Sequence, residues 1–93
     1  MKKIIALEQE YELTKNYKNS FNKEEFLELI TEYFLEYDYI LGDYSYNKLR
    51  LKGFCNSENE KFNKINDYSM LEEYVKKNCA YDCGYFILKK VKK

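Results

Sequence analysis

Four consecutive residues near the C-terminal end, Tyr85-Phe86-Ile87-Leu88, constrain the fold more than any other part of the chain. Side chains alternate between the two faces of a strand, so a strand with one wet face alternates apolar and polar residues. Here both parities are apolar. The segment is therefore expected to be a central strand covered on both faces. Gly84 precedes it, and Lys89-Lys90-Val91-Lys92-Lys93 follows as a solubilising tail.

The remaining elements must supply neighbours and cover for that strand. Lys2–Leu7 and Tyr11–Tyr17 read as strands, the second weakened by Glu12, Lys15 and Asn16. Asn22 with Glu25 has capping-box spacing, and Phe21 with Phe26 has that of a hydrophobic staple. Phe26, Ile30, Tyr33, Phe34 and Tyr37 then repeat at helical spacing, which predicts a helix running to about Tyr37. Tyr39-Ile40-Leu41 is expected to be a strand that Gly42 closes or bends. Leu49-Arg50-Leu51-Lys52 alternates strictly, as a strand with one covered face does, and Ser45-Tyr46-Asn47 reads as the hairpin tip between them. Residues 55–66 are polar and loop-like, although Phe62 and Ile65 need anchors. Ser69 and Glu72 repeat the capping-box spacing and open a second helix with a buried stripe of Met70, Leu71, Tyr74 and Val75; Lys76 and Lys77 suit its last turn.

The order strand, helix, hairpin, helix, strand predicts a single α+β domain over residues 1–93. The expected architecture is an antiparallel or mixed sheet with a central hairpin, packed by two α-helices. A ferredoxin-like split βαβ arrangement is the leading topology. A chain of 93 residues buries only about 60–65% of its unfolded surface, which leaves little room for an enclosed cofactor cavity. No cofactor is expected.

Net charge is zero, which argues against a general polyanion-binding protein. The charge is nonetheless uneven. Residues 1–46 hold 5 Lys and 10 acids, and residues 47–93 hold 11 Lys and Arg and 6 acids. The chain has 15 Lys against one Arg, 11 Tyr, and no Trp, Pro or His. AT-rich codons explain most of that bias, which makes the single Arg50 the more informative residue. The apolar run Ile4–Leu7 is too short for a signal peptide or a membrane span. Three cysteines, Cys55, Cys79 and Cys83, give no even disulfide framework, and a reducing cytoplasm is the simplest setting.

Three blocks depart from a generic pattern. Tyr37-Asp38-Tyr39-Ile40-Leu41-Gly42-Asp43-Tyr44, Leu49-Arg50-Leu51-Lys52-Gly53-Phe54 and the run from Cys79 to Lys89 together resemble the YutD-like family of small bacterial proteins, over about residues 11–91. The family pattern runs roughly G-D-W-G-Y-G-Q-L-R-L-K-G-F and then C-x-x-x-C-[AG]-Y-F. In this chain Tyr44 stands where a Trp is usual, and Ser45 and Asn47 stand at glycine-like positions. The resemblance implies a fold and a bacterial, cytoplasmic origin. It implies no reaction.

Chemistry-bearing constellations are sparse. Cys79-x-x-x-Cys83 lacks the four Cys or His ligands of a structural zinc site and is not the Cys-x-x-Cys of thiol redox enzymes, so small buried side chains and reduced, metal-free thiols are expected. Glu25, Glu28, Glu32 and Glu36 form a stripe that reads as a solvated helix face. Asp38, Asp43 and Asp82 have no spacing that demands an acidic catalytic set. No glycine-rich phosphate loop and no nucleophile–base pair is visible, so the chain is not expected to be an enzyme.

The alternating hairpin strand is the best functional candidate. With Leu49 and Leu51 facing the core, Arg50 and Lys52 face away, on the same side as Tyr39, Leu41 and Phe54. Basic side chains among exposed rings suit RNA, with charge on phosphate and rings on bases, so an RNA- or ribosome-associated accessory module is the first reading. The second is a protein-interaction module or homodimer using the same residues. A covering layer over this face would make them an interface or ordinary packing. A two-residue or four-residue hairpin tip pairs Asp43 with Arg50. The expected binding site is Asp43 orienting Arg50, with Tyr44 and Lys52 beside it; Arg suits bidentate contacts that Lys cannot copy.

Overall fold

The computed structural model describes residues 2–45, 48–78 and 84–91. The hairpin-tip pair Tyr46-Asn47, the Cys79–Cys83 pair, Asp82 and the last two lysines lie outside the described residues. Five strands, β1 (Lys2–Ala6), β2 (Gln9–Tyr17), β3 (Tyr39–Ser45), β4 (Lys48–Phe54) and β5 (Tyr85–Lys90), make one sheet in the order β1-β2-β5-β3-β4. All four pairings within it are antiparallel.

The strand expected to be covered on both faces is the middle one. Phe86 and Leu88 point into one core with Ile4, Ala6, Tyr11, Ile40 and Leu49, while Ile87 points into a second with Tyr39, Leu41 and Phe54. Helix α1 (Lys23–Leu29) covers the first core through Phe26 and Ile30. Helix α2 (Leu71–Asn78) covers the second through Leu71, with Tyr74 and Val75 beside it. The two helices thus lie on opposite faces, one sheet between two helical layers.

This corrects the ferredoxin-like expectation. In that arrangement the first strand of the unit, here β2, pairs in parallel with the third, here β4. Instead β5 separates β2 from β3 and β4 and pairs with both of its neighbours antiparallel. A strand that is apolar on both parities gains most between two partners with a helix on each side.

The first helix also ends earlier than the periodicity predicts. Asn22 caps α1, accepting the Glu25 amide at 3.1 Å, and the Phe21 and Phe26 rings meet at 5.8 Å. Ile30 then turns extended, with ψ 135°, and Glu32–Glu36 resume as a 3₁₀ turn. Two β-branched residues, Ile30 and Thr31, sit at the break, where helix propensity is low. The break lets Ile30 stay buried while the Tyr37 ring lies over Gly53, close enough that a Cβ there would overlap it. Gly42 plays the same part under the Phe86 ring, so β3 continues through this glycine rather than ending at it.

Helix α2 is introduced two residues before the expected cap. The Asp67 carboxylate accepts the Ser69 amide at 2.9 Å and the Ser69 hydroxyl at 2.8 Å, opening a 3₁₀ turn, Tyr68–Met70, that runs into α2. Lys76 and Lys77 do lie in its last turn. Met70, expected in the buried stripe, is 44% exposed.

Candidate functional site on the β4 side of the sheet

The hairpin register is the one expected from the placement of the tip: Asp43 pairs with Arg50, and Leu41 with Lys52. Asp43 is 4% exposed, yet it is a carboxylate in a sheet interior. Its two oxygens accept hydrogen bonds from Arg50 Nε at 3.3 Å and Nη2 at 2.7 Å. The fork geometry holds the guanidinium in one plane, and the hydrogen bond to Asp43 raises the Arg50 pKa above its ordinary value. The Arg50 side chain remains about half exposed, so Asp43 holds one edge of the guanidinium without burying it.

Lys52 lies on the same side. Its Nζ sits 5.4 Å from the Phe54 ring centre and 5.3 Å from that of Tyr74, so its charge rests on the rings of strand and helix. Tyr44 is placed elsewhere. Its side chain points to the opposite face, where it packs against the first core and approaches Glu25 of α1 at 3.5 Å. Burial, and then the Glu25 charge, push its phenol pKa up. The structure therefore brings Asp43, Arg50 and Lys52 together and separates Tyr44 from them.

The rings expected on the outer side with Arg50 are there, but they are covered. Tyr39 is stacked on Tyr68 with centroids 3.7 Å apart, and Phe54 meets Tyr74 edge-on at 5.6 Å. Tyr39, Leu41 and Phe54 are all buried beneath the second helical layer.

What remains open is a groove of about 310 Å³ between β4 and α2, lined by Lys52, Phe54, Lys64, Ile65, Met70, Glu73, Tyr74 and Lys77. Three lysines face one acid around an apolar floor. Ile65 was expected to anchor its loop, but it is 77% exposed. The loop is held by polar side chains instead. Asp38, buried at the head of β3, accepts the Asn56 amide at 2.8 Å and Asn59 Nδ2 at 3.1 Å. Asn66 donates to the Lys61 carbonyl and accepts the Asn63 amide, both at 2.8 Å. Reading the sequence for apolar periodicity misses such a loop; the asparagine spacing at 56, 59, 63 and 66 was its only mark.

The described residues supply little for covalent chemistry. Cys55 is a buried free thiol whose pKa burial pushes up, away from the reactive thiolate. No group of three or more His, Cys, Asp or Glu among the described residues could hold a metal ion, and no helix among them is long and apolar enough to cross a membrane.

The sequence pattern of the YutD-like family, described as "Putative antitoxin YutD-like", matches residues 6–89. A Bacillus subtilis (strain 168) protein named "Putative antitoxin YutD" is 40% identical over 90 residues, covering 97% of this chain and 99% of that protein. The chain belongs to the YutD-like family. The solution NMR structure of B. subtilis yutD superposes with a TM-score of 0.83 at 39% identity, covering 100% of this chain and 84% of that one. The α+β fold of this member is thus shared with a relative of known structure.

Proposed function

We propose that this YutD-like protein is a non-enzymatic binding module whose target is another protein, held on the Arg50 and Lys52 side of the sheet. The observation that carries this reading is what is exposed and what is not. An RNA platform needs open rings for bases to stack on. Tyr39 and Phe54 are spent beneath α2, and Lys52 lies over Phe54 and Tyr74. Ile65 and Met70 are instead exposed around the same edge, at 77% and 44%. Exposed apolar groups rimmed by lysines suit a protein surface better than a phosphate backbone. The B. subtilis relative is named a putative antitoxin, a name that fits a protein partner.

The test is affinity recovery of tagged protein from its native cell, with and without nuclease. A protein retained after nuclease, lost with Ile65→Asp and bound directly by the purified chain supports the reading. Recovery that disappears with nuclease returns the face to RNA.

A further inference from the structure

The sheet ends at β4, and one side of that strand has no neighbouring strand among the described residues. Which of its backbone groups face outward follows from the register. Cys55, just past β4, turns its N–H to the Asn66 carbonyl at 2.7 Å and its own carbonyl to the Tyr68 amide at 3.0 Å. That side is away from β3. Backbone groups alternate sides along a strand, so Gly53, Leu51 and Leu49 also turn outward, while Phe54, Lys52, Arg50 and Lys48 bond to β3. Among the described residues, the 66–68 segment hydrogen-bonds this edge at Cys55.

Beside it lies a slot of about 220 Å³ lined by Tyr33, Tyr37, Leu51, Gly53, Asn63 and Ile65. A sheet edge with no partner strand among the described residues, and a slot beside it, is a template for another strand.

We propose that the free edge of β4 takes up an extended segment of a partner protein as a sixth strand, and that this segment alternates acidic and apolar residues. The proposal rests on the protein-partner reading above and adds its geometry and chemistry. Residues of the incoming strand on the α2 side lie beside Lys48 and Lys52, with Lys64 at the groove mouth; carboxylates belong there. Those on the α1 side lie beside Leu49, Leu51 and Tyr33, where apolar groups belong. A second copy of this chain is a poor occupant. Antiparallel pairing of two β4 edges across a two-fold axis sets Lys48, Arg50 and Lys52 against the same cationic set, and like charges directly opposed destabilise a sheet.

The probe is a short blocked peptide of alternating glutamate and valine, titrated into the uniformly ¹⁵N-labelled full chain and followed by NMR. The amides of Leu49, Leu51 and Gly53 are expected to shift together and gain protection from hydrogen exchange. The same peptide with alternate amides N-methylated keeps its side chains but loses one hydrogen-bonding edge, and should bind at least about tenfold more weakly when that edge faces β4. Lys48→Glu with Lys52→Glu should shift preference roughly tenfold toward a lysine–valine peptide. Equal binding of both N-methylated registers and the parent peptide, or shifts confined to α2 and residues 64–70, would overturn strand addition and leave a protein-binding groove standing. No shift with any peptide at saturating concentration, together with shifts on adding oligo-uridylate, would remove this proposal and the protein-partner reading at once.

Discussion

Asp43 and Arg50 face each other directly across the β3–β4 hairpin, the carboxylate nearly buried and the guanidinium half exposed. The asymmetry decides what each substitution does. Removing Arg50 leaves a carboxylate in a sheet interior without its counter-charge, whereas Asp43→Asn leaves a neutral amide that still accepts a hydrogen bond. Arg50→Ala should therefore cost roughly 1–3 kcal/mol, reduced from the buried-pair range because Arg50 is partly solvated. Asp43→Asn should cost less. The double variant should recover part of the Arg50→Ala loss in urea denaturation. Strictly additive losses would show that the pair is not coupled.

The staple at the start of α1 makes a second measurable claim. Phe26 is fully buried between Tyr11, Phe21 and Phe86, with ring centroids 6.5, 5.8 and 6.3 Å away. Phe26→Ala should cost roughly 3–5 kcal/mol. Phe21 is only partly buried, so Phe21→Ala should cost visibly less. Equal denaturation midpoints for Phe26→Ala and wild type would mean that α1 does not pack through this face.

Local alternation made the Asp43–Arg50 register legible. Leu49 and Leu51 had to share a face, so Arg50 and Lys52 had to share the other, and a two-residue tip at Tyr46-Asn47 or a four-residue tip from Ser45 to Lys48 then gave the observed pairing. The central position of β5 was legible for the same reason, from four apolar residues in a row. Strand order was not, because it depends on which distant partners flank β5, and alternation is silent about partners. The break at Ile30 was hidden because Phe34 and Tyr37 continue a helical spacing while in fact serving a 3₁₀ turn that crosses to Gly53. A cover over Tyr39 and Phe54 was one of two readings of this face, and no spacing in either helix records that α2 packs on the opposite face from α1. Tyr44 was misplaced beside Arg50 by neighbourhood in sequence; adjacent strand residues face opposite ways.

The β1–β2 connection was invisible to turn chemistry and gives a third prediction. Ala6 pairs with Gln9, so Leu7 and Glu8 form a two-residue loop, with φ of 51° and 67°. Such loops favour Asn-Gly, because positive φ costs other residues roughly 1–2 kcal/mol each. Leu7 is 46% exposed and contributes little burial. Replacing Leu7-Glu8 with Asn-Gly should stabilise the chain by about 1 kcal/mol or more, read as a higher melting midpoint. A lower midpoint would mean that Leu7 packs in a way that its exposure does not show.

Tyr11 yields the last prediction. It lies at the centre of the first core, fully buried, and its hydroxyl has no hydrogen-bond partner among the described residues. A buried hydroxyl without a partner costs about 1–3 kcal/mol of desolvation, so Tyr11→Phe should raise stability by about 1 kcal/mol at neutral pH. Burial also pushes its phenol from the ordinary 10.0 up to about 12. Below pH 10 the phenol is protonated in both states and adds no pH dependence. Between pH 10 and about 12 the unfolded chain releases this proton while the folded chain still holds it, so stability falls as pH rises through that window. Tyr11→Phe should flatten this alkaline loss as well as raise the plateau. The comparison is of urea midpoints for wild type and variant at neutral pH and across the alkaline window. A gap between the two proteins that stays constant through the window would show that Tyr11 ionises as readily folded as unfolded, and a less stable Tyr11→Phe at neutral pH would show that the hydroxyl has a partner after all.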